Sequence, residues 1–232
     1  MPPPSNEGFP DELLEQAALT SPTSLLNLSK YGCEVYNIIR KMHQLSLATS
    51  PGFLVNAHRV VISNQLYQTE YEILSFLALP SSESKPEVES EVLSIAQCII
   101  FASQIFSFCA IRVVPLELRI YDIFLNRLKT TLEATEANSW EHQGLGDARL
   151  WTVFMGLVAA QTRKEFLDWF VIQMTMMLKE KTLEKEALEQ ILRRFAWLGS
   201  LCREPLNRFW DEFVILDGSL EESLHIDPQL LA

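Results

Sequence analysis

Glycine is scarce: the 232 residues hold eight. The one close pair, Gly144-Leu145-Gly146, lacks the rest of a dinucleotide fingerprint or a phosphate loop. Cysteine is equally sparse. Cys33, Cys98, Cys109 and Cys202 lie far apart, and without CxxC spacing they offer neither a redox motif nor a zinc knuckle. Cys98 and Cys109 fall on one expected helix, roughly 16 Å apart along its axis, too far for a disulfide. Scattered reduced thiols of this kind fit a cytosolic or nuclear setting. There is no GxSxG elbow and no HExxH pair. The four histidines, His43, His58, His142 and His225, are widely separated. Basic charge is short too, with 19 Lys and Arg against 30 Asp and Glu, a net charge of −11. No Lys/Arg run exceeds two residues, so the clustered cations that neutralise phosphates in nucleic-acid binding are missing. The opening Met-Pro-Pro-Pro-Ser-Asn-Glu-Gly carries neither the basic nor the apolar run of a secretory signal. No stretch longer than four residues alternates as a half-buried strand does.

What is present is helical periodicity, and the expected fold class is all-α, a multi-helix bundle or array of helical hairpins with about eight or nine helices. Residues 1–20 read as a disordered or weakly helical lead-in, with a short helix from Asp11 to Leu19. Ser21-Pro22 has the form of an N-cap followed by proline at the first helical position. The helix it opens carries Leu25, Leu28, Val35, Ile38, Ile39, Met42 and Leu45. Ser50-Pro51 repeats the signal, and a third helix is expected from about Asn56 to Pro80. Pro80 to Pro86 is an exposed loop, and Ser84-Lys85-Pro86-Glu87 has capping-box spacing. Val92–Ile111 is long enough to cross a bilayer. Its Ser94, Gln97, Gln104 and Ser107 share one side, however, so a buried bundle helix is the reading adopted. Pro115 ends it, Leu116 to Glu133 is amphipathic, and Ala134–Gly146 reads as a polar hinge.

Residues 149–213 organise the rest. Four helices are expected there: Arg149–Gln161, capped by Asp147; a second opened by Thr162-Arg163-Lys164-Glu165 and ending near Lys181; a third from Thr182; and a fourth started by Glu204-Pro205. Trp151, Trp169, Trp197 and Trp210 lie in this stretch and are expected to anchor the core, because a buried indole removes roughly 150–250 Å² from water. Trp197 and Trp210 are expected to hold the last two helices together. The helical region is bounded at 21–216, and 217–232 reads as an acidic frayed tail. Candidate chemistry is thin. His142 beside Glu141 is the best placed histidine but has no catalytic partner at a useful spacing. Cys202 near a helix start invites a lowered thiol pKa, while a small apolar residue at a tight joint is the plainer reading. Met174, Met176 and Met177 suit either an adaptable pocket or core packing. Arg193-Arg194 suits either an acidic partner or a solvated face. No catalytic, cofactor or metal residues are assigned.

An ordered set of residues carries a family resemblance. It consists of Leu150-Trp151-Thr152-Val153-Phe154-Met155-Gly156, Ala159-Ala160, Trp169-Phe170-Val171, Leu192-Arg193-Arg194-Phe195-Ala196-Trp197, Cys202-Arg203-Glu204-Pro205 and Phe209-Trp210-Asp211-Glu212. Together these resemble the C-terminal part of the fungal-specific transcription factor domain, the helical regulatory region of fungal zinc binuclear-cluster regulators. The resemblance implies a nuclear setting and transcriptional regulation through protein partners, by dimerisation with a full-length relative or a coactivator, or through an apolar effector. Its shared residues Trp151, Trp169, Trp197, Cys202, Pro205 and Trp210 would then be packing residues. The six-cysteine zinc cluster that contacts DNA in that family is not in this sequence, so the resemblance assigns no DNA contact, cofactor or membrane to the chain. The rival expectation is a helical enzyme or small-molecule carrier with an apolar cavity.

Overall fold

The computed structural model of the chain describes residues 9–50, 59–78 and 87–224. Among them are ten α-helices and no strand: α1 (Asp11–Thr20), α2 (Gly32–Ala48), α3 (Arg59–Leu77), α4 (Glu87–Phe106), α5 (Ile120–Glu133), α6 (Ala137–His142), α7 (Gly146–Ala159), α8 (Lys164–Lys181), α9 (Lys185–Arg193) and α10 (Gly199–Leu224). The fold is all-α. The sequence signals at Ser50-Pro51, Asn56, Pro80–Pro86 and the Ser84–Glu87 capping box fall wholly or partly outside the described residues, as do His58 and His225.

Two helices form the centre because, beyond their charged first turns, they are apolar on nearly every face. Along α4, Ile95, Ala96, Cys98, Ile99, Ile100, Ala102, Ile105 and Phe106 are fully buried. In α7, twelve of the fourteen residues are buried. The two pack on each other. α2, α3 and α5 also cover α4, and α5, α6, α8, α9 and α10 close around α7. Contact with α8 is so close that a Cβ on Gly156 would lie 2.2 Å from a carbon of the Phe170 ring. Glu89–Ile111 is long and apolar enough to cross a membrane by length and composition, but 67% of its most apolar window is buried inside the fold. Gln104 and Ser107, expected on a polar side, are themselves buried, while Ser94 and Gln97 are half-buried.

Several expectations are corrected. α1 is not a lead-in: Leu13 and Ala17 are buried, and α1 packs along α2. The helix expected from Ser21 is interrupted by two short 3-10 turns, Thr23–Asn27 and Ser29–Tyr31, with Ser29 in the left-handed region at φ 51°. Residues 134–146 are not a simple polar hinge. They contain α6, whose Trp140 is fully buried and donates from Nε1 to the Thr135 hydroxyl at 3.0 Å. Arg163, not Thr162, precedes the first residue of α8, and no side chain caps that end. The last helix begins at Gly199, six residues before the expected start, with Pro205 inside it. An internal proline forfeits one ladder hydrogen bond, and burial of the Pro205 ring offsets that loss. α10 then continues into the expected frayed tail as far as Leu224.

Candidate functional site: a pocket at the end of the central helix

The end of α4 departs from regular helix. Ser107–Ile111 forms a single π-helical turn, with the Arg112 amide donating to the Ser107 carbonyl at 2.9 Å. Pro115 is the cause within reach: it restricts Val114 to extended backbone, so the helix has to stop before it. The Val114 amide returns to the Phe108 carbonyl at 2.9 Å, and Val113 supplies the left-handed residue that closes the end, at φ 51°. Glycine usually fills that position, and for a β-branched residue the conformation costs roughly 1–2 kcal/mol. A widened turn and a strained residue are features that concentrate at functional sites.

The turn brings Ser107 and Arg112 against Glu70 on α3. Ser107 donates to Glu70 Oε1 at 2.7 Å, and Arg112 makes a two-pronged bond, Nε to Oε1 at 2.6 Å and Nη2 to Oε2 at 2.5 Å. Partial burial works to raise the pKa of Glu70, but the Arg112 and Ser107 bonds outweigh it and hold the carboxyl below its ordinary range. The same pairing raises Arg112 above its already high value. A carboxylate moved away from neutrality is poorly matched to general acid–base work, where the useful pKa lies near the operating pH. The pair is built to hold position.

Beside it is a cavity of about 390 Å³, walled by Ile73 and Leu74 of α3, Phe108 and Val114 of the turn, and the polar groups of Glu70, Gln104, Ser107 and Arg112. The volume lies within the roughly 300–1,000 Å³ of small-molecule pockets, which combine apolar walls with a few placed polar atoms. Gln104 carries the unusual feature. Its Oε1 is buried without a hydrogen-bond partner, one of four such side-chain atoms among the described residues. An unpaired buried acceptor costs about 1–3 kcal/mol, so a donor arriving in the cavity recovers it. Of the lining residues, Arg112 lies over the ring of Tyr67 at 5.2 Å and Leu74 is largely exposed.

No family model, curated protein or solved structure matches the chain. The residues that carry the sequence resemblance lie away from this cavity. Trp151 is fully buried, stacks on Phe195 at 5.5 Å and donates to the Ala196 carbonyl at 3.1 Å. Trp197 is buried and stacks on Phe154 of α7 at 5.9 Å. Trp169 and Trp210 are only half-buried, the first edge-on to Phe170 and the second beside Phe213. Two of the four expected anchors are therefore peripheral, and Trp140 takes a central place instead. The expected clasp of α9 to α10 by Trp197 and Trp210 is corrected as well: Trp197 ties the joint to α7, and half-buried Trp210 lines an open cavity between α10 and residues Leu183 to Glu186 at the start of α9. Cys202 is buried in the first turn of α10, where burial pushes its thiol up to about 12, the opposite of activation. Pro205 is buried within the same helix.

The other candidates separate. Met174 and Met177 are core residues, while Met176 is exposed. Arg193 pairs with Glu189, and Arg194 reaches Asp147 at 3.3 Å. His142 is exposed at the end of α6. Buried His43 donates from Nδ1 to the Phe195 carbonyl at 2.8 Å, and its Nε2 lies 2.8 Å from the Thr20 hydroxyl. Among the described residues no group of three or more His, Cys, Asp or Glu is placed to hold a metal ion. The Glu70–Gln104–Arg112 site was missed in the sequence. The available signal was Gln104 and Ser107, three apart in an otherwise apolar helix running into Pro115.

Proposed function

We propose that this chain is a non-catalytic regulatory domain that binds a small apolar effector carrying one hydrogen-bond donor. The effector occupies the cavity between α3 and the end of α4. The carrying observation is the unpartnered, covered Oε1 of Gln104, a residue that lines that cavity and whose acceptor a bound donor reaches by a small turn of the amide. A mostly apolar wall supplies affinity, and the lone acceptor selects a hydroxyl or amine over a hydrocarbon of the same shape. The strained Val113 and the π turn make the end of α4 the element whose geometry the effector changes. The setting in transcription, in the nucleus and with protein partners, rests on the resemblance of residues 149–213 to the fungal regulatory domain. DNA contact then belongs to a partner, in keeping with the −11 charge of this chain.

The test uses the purified chain with the fluorescent apolar probe Nile red. Medium-chain alcohols displace the probe more tightly than alkanes of equal length, by roughly tenfold for one recovered hydrogen bond. Gln104→Leu abolishes the preference while leaving the alkanes unchanged. Equal displacement by both series in the parent protein refutes the site. The chain is then fused to an unrelated DNA-binding domain and its reporter output read with and without the alcohol. Output that ignores the bound alcohol refutes the regulatory part and leaves a carrier.

A further inference from the structure

A second cavity, separate from the α3–α4 pocket, opens where α1, α2 and the start of α10 meet. It holds about 360 Å³, and its charged lining is all cationic, Arg193 and Arg203 with neutral His43 beside them and no carboxylate among the lining residues. That is notable in a chain of net charge −11.

Three kinds of donor converge there. Trp197 is 8% exposed, and its indole Nε1 is buried without a hydrogen-bond partner. Arg203 is exposed and makes no ion pair or hydrogen bond among the described residues. Gly199 opens α10; the Leu201 and Cys202 amides both donate to the Leu198 carbonyl at 2.9 Å, which leaves the Gly199 and Ser200 amides at the positive end of the helix dipole. The geometry of Gly199 locates the meeting point. A Cβ there would stand 3.7 Å from Arg203 Nη2 and 3.9 Å from Trp197 Nε1, so the missing methyl leaves a space facing both donors. Arg193 lies 5.3 Å over the Trp197 ring and is itself held by Glu189 through Nε at 2.9 Å and Nη2 at 2.6 Å, which fixes the indole in place.

We infer that this cavity binds the phosphate group of a small polar molecule. One oxygen accepts from the Trp197 indole, a second from the Arg203 guanidinium and a third from the Gly199 and Ser200 amides that open α10. Three donor directions suit a three-oxygen acceptor better than a planar carboxylate, and helix N-termini are established anion seats. Because Nε1 is covered, the phosphate reaches it by turning the exposed Arg203 side chain aside. The uncharged part of the ligand lies against Gln16, Ser46 and Ser50 on the other wall.

The experiment titrates inorganic phosphate into the full, nitrogen-15-labelled chain and follows the indole N–H signal of Trp197, assigned by its loss in Trp197→Phe. A saturable shift is expected that chloride of equal ionic strength does not produce. Arg203→Gln weakens binding by roughly tenfold or more, the effect of losing a charge-assisted hydrogen bond. Gly199→Ala fills the space with a methyl at ordinary contact distances and at a backbone conformation outside the left-handed region, so the fold is kept and the shift is lost. A shift no larger than that from chloride overturns the site. So does a shift that survives both substitutions unchanged. An equal saturable shift from acetate overturns the assignment to phosphate.

Discussion

His43 shows what a single buried side chain does in this fold. Burial lowers its pKa below the ordinary 6.5, opposed only by the bond to the Phe195 carbonyl. The folded state therefore prefers the neutral ring more than the unfolded state does. Stability from this group is complete above the unfolded pKa and is lost as pH falls below about 6.5. Denaturant melts between pH 7.5 and 5 should show a fall in stability that His43→Gln flattens, and parallel slopes in both proteins would exclude His43 as the cause. At this scale the sequence was only partly legible. Tryptophan announces bulk, so the burial of Trp151 and Trp197 could be expected. It does not announce depth, which depends on what lies opposite: Trp140 on a six-residue helix is fully enclosed, and Trp169 on an eighteen-residue helix is not.

At the level of elements, helix type was readable from periodicity, while helix ends were not. Local signals compete with packing at the ends. Pro205 carries the mark of a helix start, yet α10 begins six residues earlier because Cys202 and Leu206 are buried in its opening turns and fix the helix there. Pro115 was read correctly as a stop, but the way α4 stops depends on Glu70, 42 residues away from Arg112. The α7–α8 contact gives the sharpest test of packing between elements. Gly156→Ala gains helix propensity of up to about 1 kcal/mol. It also drives a methyl to 2.2 Å from a carbon of the fully buried Phe170 ring. Overpacking of that kind costs about 1–3 kcal/mol, so the net expectation is a loss of stability. Pairing it with Phe170→Leu should recover part of the loss. A Gly156→Ala protein at least as stable as the parent would mean the two helices are farther apart than described.

Across the whole molecule one hydrophobic core runs from Phe9 to Phe209. Cys98, Cys109 and Cys202, buried on α4, on the π turn and on α10, report on it from three places, while Cys33 is exposed. A thiol reagent should label Cys33 at once in the native chain. The other three should become reactive together, at the denaturant concentration of global unfolding. Stepwise labelling would divide the core into separate units. The bond between His43 and the Phe195 carbonyl joins positions 152 residues apart, and that separation has a consequence during synthesis. At ~5–20 residues per second, about 8–30 s pass after His43 leaves the ribosome tunnel before its acceptor does. For that interval α2 has no carbonyl for its imidazole, so the nascent N-terminal half is an open surface on which a chaperone or an incoming subunit has time to act.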